Sequence, residues 1–439
     1  MKGLKDTLAN LSRLRGRFER LLSSAAKRGG AASPLGTARL CEVVGFGSNP
    51  GNLRMLAHVP RKLTKAPALV VALHGCLQTA AVYDHGSGWS TLADTYGFAV
   101  LFPEQQRSNN PNNCFNWFLP SDARRNHGEA FSIRQMIERM IENYGIDRRR
   151  VFVVGLSAGG AMTSAMLAAY PEVFAGGAII AGLPYGCATN VQDAFEAMAG
   201  GRDRSAQEWG DLIRSASPHR GPWPKISLWH GSSDAIVNPR NIEAALKQWI
   251  DAHGVSVRPR VEHKLAGHSR RVWRTEADDD VIEAITITGM GHGVPLAAGG
   301  DSERCGNAGP FHFDVGVSSS HHIVRFWGVA DGATAKEKAA DHARADLAPG
   351  VTQAYKPSSL AARESAATSK LFSSRGGQTG KDEEGQAGVR VHDPRLIITA
   401  ALKAAGLLSE PSGHSANRDP LDPRRIIATT LRSVGLLKE

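Results

Sequence analysis

A mostly parallel, doubly wound α/β sheet is the architecture this sequence predicts, on three observations. Short strand-like runs recur from about residue 40 to residue 330, and several are continuously apolar, as strands covered on both faces require. Helical patterns alternate with them, which is the order of a parallel sheet wound on both sides. Glycine makes up 47 of 439 residues, about 11% against a usual ~7%, and supplies the tight turns such a sheet needs.

The elements follow in order. Residues 1–28 read as a basic amphipathic helix, with Leu4, Leu8, Leu11, Leu14, Phe18, Leu21 and Leu22 at three- and four-residue spacing. Eight basic and two acidic residues put +6 of the chain's net +10 in this segment. It is suited to packing on its own domain or to lying on an anionic membrane or granule surface. Small residues and a proline at 29–34 end it. Strands are expected at 55–59, 68–73, 99–102, 151–154, 177–181, 226–229 and 281–288, and helices at 132–143, 158–169 and 241–253. Residues 188–224 are polar and broken by Gly and Pro, so they read as a small cap or a long excursion over the sheet.

After about residue 332 the composition changes. Residues 350–390 are rich in Ser, Ala, Gly, Lys and Glu and read as part of a flexible linker, 333–390. The segment 391–439 then holds an internal repeat, DPRLIITAALKAAGLLSE (393–410) and DPRRIIATTLRSVGLLKE (422–439), identical at 10 of 18 positions. Each copy has Asp for the helix N-cap, Pro at the first helical position and a Gly (Gly406, Gly435) for the C-cap. Neither can bury its apolar face alone, so each must dock on its twin, on the body or on a partner. The expected organisation is a basic segment 1–35, a catalytic domain 36–332, the linker and the duplicated motif.

Composition excludes several function classes. The 42% apolar content is that of a globular protein, and no apolar run approaches the 18 residues of a membrane span. Outside residues 1–28 the charge is nearly balanced, so a nucleic-acid footprint is not expected. Five cysteines (Cys41, Cys76, Cys114, Cys187, Cys305) form no CxxC pair and no dense disulfide framework. No apolar secretory leader is read at the N-terminus, which makes a reducing cytoplasm the default expectation.

One motif carries chemistry. Residues 151–160, VFVVGLSAGG, run from a strand through G-x-S-x-G into a small-residue helix. Such a turn lifts a serine hydroxyl above the sheet at a helix N-terminus, which makes Ser157 the expected nucleophile. A serine needs a base, and that base needs a carboxylate to orient it. Downstream, ISLWHGSSD (226–234) and ITITGMGHG (285–293) each end a strand, with Asp234 and His292 just past the strand ends. The chain order Ser, Asp, His is that of this turn type. His230, His263 and His268 are weaker bases.

Other residues are assigned around the nucleophile. The backbone N–H groups of Ala158 and Cys76 are the expected oxyanion donors, Cys76 because it follows an apolar strand in VALHGCLQ (71–78). Cys76 also suits a small buried hydrophobe or a disulfide with Cys114. His74, Gln78 and Trp117 are assigned to substrate binding; Trp117 lies in NCFNWF (113–118), a substrate wall or an edge packed on the sheet. Glu129 reads as favouring the N-terminus of the following helix. His321 and His322 look like a metal pair but sit in a helix that packs or solvates them. No metal or cofactor is expected.

On these residues the chain resembles the poly(3-hydroxybutyrate) depolymerase family of esterases, within the α/β-hydrolase superfamily. The matching stretches are GFGSNPGNLRMLAHVP (45–60), ALHGCLQTAAVYDHGSGW (72–89), FPEQQRSNNPNNCFNWF (102–118), GEAFSIRQMI (128–137), VFVVGLSAGGAMTSAMLAAYPEVFAGGAIIAGLPYG (151–186), LWHGSSDAIVNPRN (228–241) and GMGHGVPL (289–296). The resemblance implies an α/β-hydrolase fold and a serine esterase acting on polyhydroxyalkanoate or related esters, with the triad on Ser157, Asp234 and His292. Feruloyl and acetylxylan esterases look similar in the same motifs, so plant-derived esters are the alternative substrates. A granule- or membrane-binding protein with secondary hydrolase activity is the rival reading, motivated by 1–28 and 391–439. The resemblance also makes an extracellular location conceivable. Similar sequences tend to carry a second Cys where this one reads DVGVSSS (314–320), which leaves Cys305 without that partner.

Overall fold

The computed structural model describes residues 39–201, 203–298 and 303–330, together with Gly16 and Arg20. The chain divides into two units, Met1–Pro349 and Gly350–Glu439, and every described residue lies in the first. Apart from Gly16 and Arg20, the amphipathic helix expected over 1–28 lies outside the described residues. So do the linker 333–390 and the duplicated motif.

The elements run β1 (Cys41–Val43), β2 (Arg54–His58), β3 (Leu69–Leu73), α1 (Ala80–Ser87), α2 (Trp89–Tyr96), β4 (Ala99–Glu104), α3 (Pro120–Ala123), α4 (Gly128–Tyr144), β5 (Val151–Leu156), α5 (Ala158–Ala169), β6 (Gly176–Ile180), α6 (Val191–Met198), α7 (Ala206–Ala216), β7 (Lys225–Gly231), α8 (Arg240–His253), β8 (Val261–Leu265), β9 (His268–Arg274), β10 (Asp280–Ile287), β11 (Val294–Leu296), β12 (His312–Asp314) and α9 (Ser319–Phe326). Ten strands form one sheet in the order β1-β2-β4-β3-β5-β6-β7-β10-β9-β8, and β11 and β12 pair separately. The central strands β4, β3, β5, β6, β7 and β10 are parallel. Antiparallel pairs close both edges.

The central strands are apolar throughout because both faces are covered. Along β3, Leu69, Val71 and Leu73 enter one core with α4, α5 and α8, while Val70 and Ala72 enter the other with α1, α2 and α9. The first core joins aliphatic residues such as Ile133, Met136, Ile137 and Met162 to the aromatic rings of Phe115, Tyr170, Trp249 and Trp273. The second is aromatic at its centre, where Trp327 stacks on Phe152 at 4.8 Å and on Trp89 at 6.2 Å. All seven expected strands and all three expected helices are present within a few residues.

The sequence reading missed what the edges and the connections do. The basic stretch 261–274 is the hairpin β8–β9, whose arginines pair outward: Arg270 with Glu283 (2.7 Å), Arg274 with Asp280 (2.6 Å) and Arg271 with Glu243. Charged side chains on an edge hairpin mask its strand pattern and guard it against pairing with other chains. Residues 80–96, which carried no helical expectation, form α1 and α2, split by Gly88 in a left-handed conformation. The excursion 188–224 contains two helices, α6 and α7, the latter opened by a capping box of Ser205 and Glu208.

Candidate active site

Parallel strands point their carboxyl ends to one edge of the sheet, and the three expected residues follow three of those ends: Ser157 after β5, Asp234 after β7 and His292 after β10. Ser157 has φ 57° and ψ −116°, the strained turn expected between a strand and the helix it feeds. The two glycines of the motif are needed by contact. A Cβ on Gly155 would lie 2.3 Å from Gly159, and a Cβ on Gly159 would lie 2.3 Å from the Leu73 carbonyl oxygen. Helix α5 therefore starts hard against the end of β3, the strand that leads to Cys76.

Asp234 and His292 are held together at 2.7 Å, Asp234 Oδ2 to His292 Nδ1, and both are buried. The other oxygen, Oδ1, accepts from the N–H groups of Ile236 and Val237, both at 2.9 Å. The two loops are tied to each other as well, by Ser233 N–H donating to the Met290 carbonyl (3.0 Å) and Gly289 N–H to Ser232 Oγ (2.8 Å). Burial alone would raise the Asp234 pKa. The facing His292 and His230 rings outweigh it and hold the carboxyl well below the usual range.

His230, a weaker base in the sequence reading, is placed elsewhere. Its Nε2 lies 3.1 Å from Asp234 Oδ2 and 2.9 Å from the Val237 carbonyl oxygen, and the ring is buried. It reaches the same carboxylate oxygen that His292 holds and does not line the cavity. A histidine four residues before a turn aspartate was the signal available for this contact. His263 and His268 belong to the β8–β9 hairpin.

Ser157 and Ala158 open onto a cavity of about 260 Å³. Asn110, Pro111, Asn112, Cys114, Trp117 and Phe118 line it on one side, and Leu183 with Val191, Ala194, Phe195 and Met198 of α6 on the other. Cys76 also lines it, and among the described residues neither the Cys76 nor the Ala158 backbone N–H has a hydrogen-bond acceptor. Trp117 lines this cavity and also packs against both cores. His74 and Gln78 are not in the lining. His74 is fully buried, its Nδ1 2.8 Å from the Gly75 carbonyl oxygen and its Nε2 accepting from Gln105 N–H. Gln78 turns inward, its Oε1 accepting from Gly75 N–H at 2.8 Å. Each puts one polar atom on the backbone of Gly75, in the turn that carries Cys76, and His74 also ties that turn to Gln105 after β4. A larger cavity, about 720 Å³, lies elsewhere and is lined by Lys225, Arg270, Arg304 and Arg325 among others.

Cys76 and Cys114 form a disulfide, S–S 2.08 Å, joining the turn after β3 to the aromatic wall. The expectation of a reducing compartment finds no support in this bond, since disulfides persist in oxidising ones. Cys305 stays a thiol, with its Sγ 3.3 Å from Ser318 Oγ. His322 contacts buried Glu283 at 3.0 Å. Among the described residues no group of His, Cys, Asp and Glu has the make-up of a metal site, and no helix is long and apolar enough to cross a membrane.

Comparison with known proteins bears on this geometry. The family model described as esterase PHB depolymerase matches residues 56–272. Poly(3-hydroxyalkanoate) depolymerase C of Paucimonas lemoignei is 48% identical over 300 residues, spanning 68% of this chain and 72% of that protein. The chain belongs to the PHB depolymerase family of esterases. It is a carboxylic ester hydrolase with an α/β-hydrolase fold. Within reach of the same family, an acetylxylan esterase of Coprinopsis cinerea is 32% identical, spanning 61% of this chain and 72% of that protein. A solved acetyl xylan esterase from Aspergillus awamori superposes with a TM-score of 0.57 at 27% identity, covering 66% of this chain and 99% of that one.

Proposed function

We propose that this PHB depolymerase family member is a serine esterase that cleaves short hydroxyalkanoate esters, poly(3-hydroxybutyrate) or its oligomers, through an acyl-enzyme. Ser157 Oγ attacks the ester carbonyl as His292 Nε2 takes its proton. Asp234 fixes the imidazole through Nδ1 and offsets the charge it gains. The N–H groups of Cys76 and Ala158 receive the oxyanion, each worth about 10²–10³ in rate. The alcohol leaves with the proton from His292, and water repeats the cycle on the acyl-enzyme.

The observation that supports this reading is a strained Ser157 on an apolar cavity, with the buried Asp234–His292 pair just past two further strand ends on the same edge of the sheet. The cavity is small beside the ~300–1,000 Å³ of drug-sized sites, which favours short acyl units. A feruloyl or acetylxylan type of substrate is the second reading, favoured by the Trp117 and Phe118 wall and by relatives named for those esters. Purified wild type and Ser157→Ala on p-nitrophenyl acetate, butyrate and octanoate, 3-hydroxybutyrate oligomers and methyl ferulate test both. The variant is expected to lose at least about 10³-fold in kcat. Retained turnover sinks the mechanism, and methyl ferulate as the best substrate selects the second reading.

The Cys76–Cys114 disulfide supports work in an oxidising compartment. We assign catalysis to residues 36–332 and, to 1–28 and 391–439, contact with a granule or anionic membrane surface, on the apolar spacing of both segments. Co-sedimentation with anionic liposomes or polymer granules, with and without those segments, checks this; unchanged binding after deletion removes it.

A further inference from the structure

Glu129 sits in the first turn of α4 and is 1% exposed, yet no ion pair holds it among the described residues. Its two oxygens accept three N–H groups instead. Oε1 takes Gln105 Nε2 at 2.6 Å and Asn116 Nδ2 at 2.8 Å, and Oε2 takes the Asn116 backbone N–H at 2.8 Å. From behind, the β1–β2 connection clamps it: a Cβ on Gly51 would lie 2.4 Å from Glu129 Cα. A buried carboxyl is costly unless fully bonded, and a neutral amide would cost less. What an amide cannot do is accept on both of its terminal atoms.

Those bonds end on one element. Asn116 immediately precedes Trp117 and Phe118, and its Oδ1 accepts from Asn110 Nδ2 at 3.1 Å on the far limb of the same loop. Gln105 also donates to the Cys114 carbonyl oxygen at 3.2 Å. The loop 106–118 contains no helix or strand, so its shape is set by such bonds. We propose that Glu129 is the positioning residue of the acyl pocket: it fixes the loop that carries Trp117 and Phe118 and so sets which acyl chains the site accepts. The inference rests on the esterase reading of Ser157.

Glu129→Gln removes the second acceptor while keeping size. For p-nitrophenyl butyrate and octanoate, KM is expected to rise about tenfold with kcat changed less than threefold. For the acetate, which barely reaches the wall, KM is expected to change less than threefold. Asn116→Ala, on the loop side, is expected to reproduce the pattern, and the double variant to add no more than twofold, as for two members of one contact. Unchanged KM throughout, a uniform fall of kcat across the three esters, or additive effects in the double variant overturn the inference. If Glu129→Gln does not fold, Asn116→Ala decides alone by its KM-against-kcat split. Ser157→Ala is run on the same panel: activity there defeats the esterase reading, whereas a dead Ser157→Ala beside an unaltered Glu129→Gln defeats this inference only.

Discussion

Two flanks meet at Ser157, and they are built differently. On the flank of β7 and β10 Asp234 and His292, the proposed catalytic pair, sit on short strand-end turns, bonded to each other and to adjacent backbone: Asp234 has four close partners, and its loop is tied to that of His292. On the flank of β3 and β4 the side chains facing the cavity come from a long irregular loop, ordered by Glu129, Gln105 and a disulfide. The first flank has little freedom to vary without losing chemistry. The second can vary in shape while the chemistry stays, so substrate choice is expected to turn on it.

Substitutions should separate the flanks. Asp234→Asn, which leaves His292 in place but removes the charge that orients it, is expected to lower kcat by about 10⁴-fold with KM changed less than threefold. A KM change larger than the kcat change would mean that this flank binds substrate too. Trp117→Ala on the other flank is expected to raise KM for the butyrate ester by about tenfold, the scale of a lost apolar contact, and to leave kcat within threefold. A matching loss in kcat would erase the distinction.

The smallest effect is on stability. Burial pushes the Glu129 carboxyl up to about 8 against its three N–H donors, whereas the unfolded chain loses that proton near the ordinary 4.5. Above pH 4.5 the folded state therefore holds the extra proton, and stability falls as pH rises toward 8. The melting temperature of wild type, measured against Glu129→Gln, is expected to drop by a few degrees between pH 5 and 8 and to level off beyond. A difference that is flat with pH would place the ionisation of Glu129 at an ordinary value.

Much of this was legible in the sequence, for a physical reason. Ser157, Asp234 and His292 each follow a short apolar run that can only be a buried strand, and a strand end with Gly on either side is a local signal. The sheet centre was legible likewise, because a strand covered on both faces needs no polar alternation. The pocket was not. Residues 188–224 showed an excursion, but that Val191, Phe195 and Met198 face Ser157 depends on how α6 lies, which no spacing within the segment reveals. His74 and Gln78, expected to bind substrate, lie on either side of Cys76 in sequence, but their side chains bond the backbone of Gly75. Glu129 read as a helix-start residue, and it is one, but its partners lie 13 and 24 positions away in an irregular loop.

The backbone of Ser157 has a consequence for evolution as well as for chemistry. A side chain at φ 57° and ψ −116° holds a conformation that glycine adopts without penalty, at a cost on the order of 1–3 kcal/mol. The most stable version of this fold would therefore lack the nucleophile proposed above. Selection for stability alone would drift toward glycine at this position and leave an intact cavity that binds esters and releases them unchanged.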